Sequence, residues 1–348
     1  MNALDLALYS NYALYSAMAV LALAMLAYAG YLAGLMPARS ERREHEKESA
    51  LLSTREREEA LVGASAGPTG SVESSGERVV ASDDAGSSAT SGRALDEGVS
   101  VGTRKLGGIA GSLAWLGTIL LAVSVALRGL SVSRAPLGNM FEFAVVACLF
   151  VMLAFSLWST RRDLRWLGLF VVTPVLLVLG VALVSWYTEA AELMPSLQSY
   201  WLVIHVTVAV IAMAIFFIGA VTGILYLAQD KVEQSGRTSF LNHFPGSKAL
   251  ERLTYGLHVV AFPLWTFTLI AGAIWARQAW ASYWNWDPKE VWSFVIWVVY
   301  AAYLHARVTS GWSKQRATYI ALAGFVCILI NYGVVNLFFV SQHSYSGL

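Results

Sequence analysis

Apolar residues dominate this chain in long runs rather than in alternation. A membrane-crossing helix needs about 20 mostly apolar residues. Eight segments meet that length, at roughly 10–34, 106–127, 139–159, 166–186, 200–228, 257–276, 291–310 and 317–340. The pattern predicts an all-α, polytopic helical membrane protein of about eight transmembrane helices. Residues 1–36 form an N-terminal span and residues 106–348 a seven-helix core.

Between them, residues 37–105 are different material. The first part, SERREHEKESALLSTREREE, mixes both charges and can continue the first helix into water, with His45 as a solvated member. From Gly63 to Ser100 the chain is rich in Ser, Gly and Ala and nearly free of aromatics. Such a stretch buries too little apolar surface to offset its ordering entropy, so it reads as a largely disordered tether. Pro174 and Pro263 fall inside spans, where proline kinks a helix or frees a carbonyl.

Composition and charge sharpen this reading. Hydrophobic residues make up 57% of the chain and charged ones 14%, against about 25% charged in a soluble domain. The net charge of +1 gives no footprint for nucleic acid. Lys and Arg favour cytoplasmic loops. With both termini outside, the cytoplasmic segments hold 20 of the 24 basic residues. The outer face then collects the loop after Arg128, the loop LMPSLQSY, the loop WASYWNWDPKE and the tail SQHSYSGL. The N-terminus has no basic leader and no small-residue cleavage site, so its apolar stretch reads as a helix that stays. Cys148 and Cys327 form no CxxC, which excludes a dithiol redox motif and a CxxCH haem attachment; they read as small buried hydrophobes. P-loop, Gly-rich dinucleotide and nucleophilic-serine motifs are absent.

Six of the thirteen tryptophans fall within Trp275–Trp297. An interfacial belt explains one or two. It does not explain Trp280, Trp284 and Trp286 crowded with Asp287, Lys289 and Glu290 onto the connection 278–290. Flat rings beside a basic group suit a large planar ligand carrying carboxylates.

His205 lies about one turn below the outer end of its span, and His343 in the outer tail. Singly, each is more often a hydrogen-bonded structural histidine. Beside the tryptophan loop, the two point to axial bonds to one haem iron. His305 lies past the bilayer midpoint, where an ionisable group marks function by default; the competing reading is a histidine snorkelling with Arg307. His258 is at comparable depth, so a pair with His305 enters as a minor reading. His243 reads as solvated, and Glu142 as an interfacial carboxylate.

The run GAIWARQAWASYWNWDPKEVWSFVIWVVYAAYLHAR resembles the tryptophan-rich WWD signature of haem-handling membrane proteins. It is most similar to the CcsA/ResC branch of system II cytochrome c maturation, supported by SYWLVIH, LERLTYG with AFPL, and QHSYSG. Ala281 stands where that branch usually has glycine. The resemblance covers about residues 106–348. It implies haem b as a transit ligand, taken up at His305 and moved to an outer site between His205 and His343. There Trp280, Trp284, Trp286 and Asp287 shape the platform and Lys289 meets a propionate. No catalytic group beyond haem positioning is implied. The implied partners are a ResB-like membrane protein that supplies the other intramembrane histidine, apocytochrome c with its CxxCH, and thiol-reducing proteins. The implied place is the plasma membrane, with the WWD loop and C-terminus extracytoplasmic. The chain would form part of a holocytochrome c synthase. Rival readings are a haem-delivery protein of the CcmC kind, a b-type electron-transfer cytochrome, and a solute transporter with a tryptophan belt.

Overall fold

A computed structural model describes residues 2–64, 100–193, 197–236 and 239–343, with backbone alone at 36–51, 53–64 and 242–243. Among the described residues the chain is helical, with no strand, and eight helices are long and apolar enough to cross a membrane. The expected fold class is thereby met. In lipid every backbone polar group has to be satisfied within its own segment, which restricts spanning chains of this kind to helices.

The helices are α1 (Ala3–Ala64), α2 (Val101–Ser131), α3 (Met140–Ser159), α4 (Gly168–Ser185), α5 (Tyr200–Ser235), α6 (Ser247–Trp280), α7 (Pro288–Val308) and α8, which runs as Lys314–Leu329, a π-helical turn Ile330–Val334 and a last turn Val335–Phe338. The charged stretch after Leu35 is helical to Ala64, while the Ser- and Gly-rich tether and the sites within it lie outside the described residues. Pro174 and Pro263 sit inside the continuous helices α4 and α6.

Consecutive helices pair most extensively: α1 along α2, α5 along α6, and α7 against α8. The α5–α6 pair carries a repeated device. His205 of α5 lies over Gly272 of α6, and His258 of α6 lies over Gly219 of α5. Each histidine stands 14 residues from the glycine on its own helix, so the antiparallel pair meets in the same way near one end and again at the middle of α5. A Cβ on Gly272 would fall 2.8 Å from the His205 ring, and one on Gly219 would fall 2.7 Å from His258. Only glycine leaves room for these rings between the helices.

Between α5, α6 and α7 the middle of the bundle is filled by aromatic rings. Phe216 and Tyr300 stack with ring centroids 3.8 Å apart, and His258 packs against both and against Tyr303. Trp265 donates to the carbonyl of Ser293 at 3.1 Å and joins α6 to α7 there.

The outer edge is tied by charge. Glu142, expected at the interface, is instead buried at the start of α3. Its carboxylate accepts from Arg128 Nε at 3.0 Å, from Arg134 Nη1 at 2.8 Å and from the Gly138 amide at 2.8 Å. The two guanidiniums also donate to the carbonyls of Thr188 and Ala191. One acid thus binds α2, the loop before α3 and the strap after α4. Removing one partner of a buried ion pair costs about 3–5 kcal/mol, because the remaining charge stays desolvated. Glu142→Gln is expected to lose most of that amount in thermal unfolding of the detergent-solubilised protein; an unchanged melting temperature would show that the cluster is solvated.

Candidate functional site

The WDPKE run builds a helix start. Asp287 is the N-cap of α7, Pro288 takes the first helical position, and Glu290 completes a capping box. Proline suits that place because its missing N–H would have no intrahelical partner. Glu290 accepts from the amides of Asn285 at 2.8 Å and Asp287 at 3.1 Å. The connection from α6 is shorter than the sequence suggests, since α6 stays helical to Trp280. It then turns through two residues in the left-handed region, Ala281 (φ 61°) and Trp286 (φ 57°).

Asp287 does more than cap. It is 6% exposed, and its Oδ1 accepts from the Lys289 amide at 2.9 Å and lies 3.0 Å from His343 Nδ1. Its Oδ2 accepts from the Gln342 amide at 2.7 Å. Burial works to raise the Asp287 pKa, but the His343 contact and these amides outweigh it and hold the carboxyl below its ordinary value. The group is therefore ionised at neutral pH. Its stabilising contribution is present above the unfolded pKa of about 3.9 and is lost as the pH falls through the lower folded value.

His205 and His343 line one cavity, enclosed by α5, α6, α7, α8 and the loop before α3. His205 Nδ1 lies 3.0 Å from the carbonyl oxygen of Thr268 on α6. Carbonyl and ionised carboxylate oxygens only accept. Both Nδ1 atoms therefore carry a proton, so Nε2 is the nitrogen that would bear the lone pair in the neutral form of either ring. Metal-binding histidines are oriented in this way, by an acceptor on the opposite ring nitrogen. Among the described residues no cluster of three His, Cys, Asp or Glu side chains forms.

Aromatic rings frame the cavity. Trp280 meets His343 edge-on with centroids 4.8 Å apart, and Trp275 lies 5.7 Å from His205. Trp284 is on the wall, whereas Trp286 stands outside it, 77% exposed and edge-on to Trp284. Lys289 lines the cavity, and its ammonium donates to Asn331 O at 2.8 Å and Asn336 Oδ1 at 2.7 Å. His305 is not brought here. It is exposed near the far end of α7. His258 is closed into the core, its Nδ1 2.6 Å from the Thr254 carbonyl and its Nε2 without a hydrogen-bond partner. Its ring neighbours are Phe216, Tyr300 and Tyr303, so the minor reading of a His258–His305 pair finds no support in these contacts. The side chain of His243 and that of His45 lie outside the described residues.

Sequence reasoning missed Thr268, Gly272, Asn331, Asn336 and Gln342. Gly272 and Gln342 stand at the edges of the quoted WWD-like and QHSYSG stretches and the other three in no motif, so their roles appear only where helix crossings, the π turn and the tail bring them to the site. One residue it did note now has a cause. Ala281 caps α6 in the left-handed conformation, where glycine is the usual helix terminator. A Cβ in that region costs about 1–2 kcal/mol. Ala281→Gly is expected to raise stability by about 1 kcal/mol, read as a higher melting temperature in detergent; a lower one would mean that the methyl packs productively.

The sequence model of the family described as cytochrome C assembly protein matches residues 107–343, more than half of the chain and ending on His343. The chain is similar to the cytochrome c biogenesis protein CcsA of Guillardia theta, 34% identical over 253 residues, which cover 67% of this chain and 84% of that protein. It is similar to CcsA of Chlamydomonas reinhardtii, 36% identical over 233 residues and 65% of each chain. CcsA of Synechococcus sp. (strain WH7803) is 31% identical over 272 residues, 67% of this chain and 84% of its own. Eight apolar helices, a tryptophan-framed cavity with two oriented histidines, and these likenesses agree: the chain belongs to the cytochrome c assembly protein family.

Proposed function

We propose that this multi-pass membrane protein of cytochrome c biogenesis binds haem b in the cavity between His205 and His343 and presents it there for attachment to the CxxCH thiols of apocytochrome c. The observation that carries this reading is that two histidines from different helices line one cavity, each with an acceptor at Nδ1. Thr268 O and Asp287 Oδ1 orient the two rings, and their Nε2 atoms would be the ones to meet a haem iron. Trp280 and Trp284 supply flat surface, Trp286 extends it into solvent, and Asp287 fixes the tail. Lys289 stands at the same wall. The chain's own contribution to the reaction is placement. Holding a vinyl group against a thiol converts a bimolecular encounter into an oriented one, which removes several kcal/mol of barrier.

His305 lies exposed on α7, a setting suited to haem shared with a second membrane protein. In this reading a ResB-like partner supplies the opposing ligand, and thiol-reducing proteins keep the CxxCH reduced. The charge bias of the loops supports an extracytoplasmic cavity and C-terminus in the plasma membrane.

His205→Ala and His343→Ala are each expected to abolish cytochrome c maturation, scored by covalent haem staining, and millimolar imidazole is expected to restore part of it by filling the vacated iron position. Full maturation in either variant without imidazole would remove the ligand assignment. His305→Ala is expected to leave the protein folded and poor in haem in the absorption spectrum; normal haem and normal maturation in that variant would sink the transfer route.

A further inference from the structure

Lys289 was expected to meet a carboxylate of the ligand, yet its ammonium already has two acceptors inside the chain. Both lie on α8. Asn336 offers its side-chain oxygen at 2.7 Å and Asn331 its backbone carbonyl at 2.8 Å. The second acceptor exists because of the π turn. In an α-helix the amide of Val335 would serve the carbonyl of Asn331. Here that amide donates to Ile330 O instead, one residue further back, and Asn331 O turns to Lys289. The Asn331 side chain donates to Ser293 Oγ of α7 at 3.1 Å, so the widened turn is fixed to α7 from two directions. π turns are rare and frequently sit at functional sites.

We infer that Lys289 is a positioning residue: through the π turn of α8 it sets the height and direction of the tail that carries His343, rather than binding the ligand's carboxylate. The inference rests on the reading of His343 as an iron ligand. Three residues of one short stretch hold the end of α8 and the tail. Lys289 grips Asn331 and Asn336, Asn285 donates to Gln342 Oε1 at 3.2 Å, and Asp287 takes the Gln342 amide and the His343 ring. Without the lysine, Asn331 O would lose the donor that stands in for the Val335 amide, and the turn would be free to rewind to α-helical spacing. Rewinding turns every later residue about the helix axis by about 100° for each residue of register change. His343 would then leave the cavity wall even with Asp287 intact.

The test uses full-length protein co-expressed with its ResB-like partner, in four forms: wild type, Lys289→Met, Lys289→Arg and His343→Ala. Two readouts are taken, maturation with and without millimolar imidazole, and amide hydrogen exchange over residues 331–343 in protein purified without haem. Lys289→Met is expected to mature cytochrome c roughly tenfold less and to be restored by imidazole to the level of restored His343→Ala. Its amides after Ile330 are expected to exchange roughly tenfold faster, with α5 and α6 unchanged. Lys289→Arg, which keeps a donor, is expected to fall between Lys289→Met and wild type on both. Failure of imidazole to restore Lys289→Met, while it restores His343→Ala, would assign the lysine to the ligand and overturn the inference. Unchanged exchange over 331–343 in Lys289→Met would overturn it whatever the maturation result. Normal maturation in His343→Ala would defeat the haem-ligand reading, and exchange would then still decide whether the lysine sets the tail.

Discussion

The carboxylate of Asp287 is the point through which the cavity end of this protein is organised. One group satisfies the first amide of α7, accepts the amide of Gln342 and orients the ring of His343. These are three demands from two distant stretches of chain, and all three favour the ionised form. The helix start favours it as well, because the unpaired amides there carry partial positive charge. A neutral amide in its place would keep the cap's shape but reverse a donor toward either the backbone or the imidazole. The geometry of the cavity therefore follows from the charge state of a buried side chain as much as from helix packing.

Around that group the architecture divides the labour. The α1–α2 pair, α3 and α4 make most of the larger apolar core, to which α5 and α6 also contribute. The α5–α8 helices make a second one, and their ends near Asp287 are left apart as the cavity, whose boundary with the first set runs along α3. The Arg128–Glu142–Arg134 cluster ties α2, the start of α3 and the strap after α4. Tyr332 crosses the same boundary, donating to Met140 O at 2.9 Å and stacking on Phe143. A tyrosine of α8 is thus anchored to α3 one residue after Asn331, the carbonyl that Lys289 takes, and the site is supported from behind.

Much of this was legible in the chain. Eight apolar runs give eight helices, because no other regular structure satisfies the backbone in lipid without closing a barrel. The crowding of tryptophans with WDPKE marked the wall, and His205 and His343 were legible as a pair because the loop-charge bias assigns both to one face. The remainder depends on three-dimensional register. Whether Nδ1 of His205 meets a carbonyl depends on Gly272 passing beneath it, 67 positions away in sequence. Trp286 reads like its neighbours, but a left-handed backbone at that residue turns its ring outward. Glu142 looked interfacial because the two arginines that neutralise it are set apart in the chain, Arg128 in the last turn of α2 and Arg134 in the loop that follows. Lys289 looked like a cation awaiting an anion, since nothing in the composition of α8 announces a π turn.

The stacked pair Phe216–Tyr300 gives the cavity a floor. The lining descends as far as Met213, Ile296 and Ile328, and one turn further the two rings meet at 3.8 Å. A membrane that stores energy as a potential does work of about 2.3 kcal/mol on each elementary charge moved per 100 mV. A wet passage through the bundle would dissipate that store as a proton leak. Aromatic rings in van der Waals contact, with the His258 imidazole among them, stand across that route between α5, α6 and α7. The protein can keep an open, polar-rimmed chamber at one end of these helices because its floor is solid rather than wet.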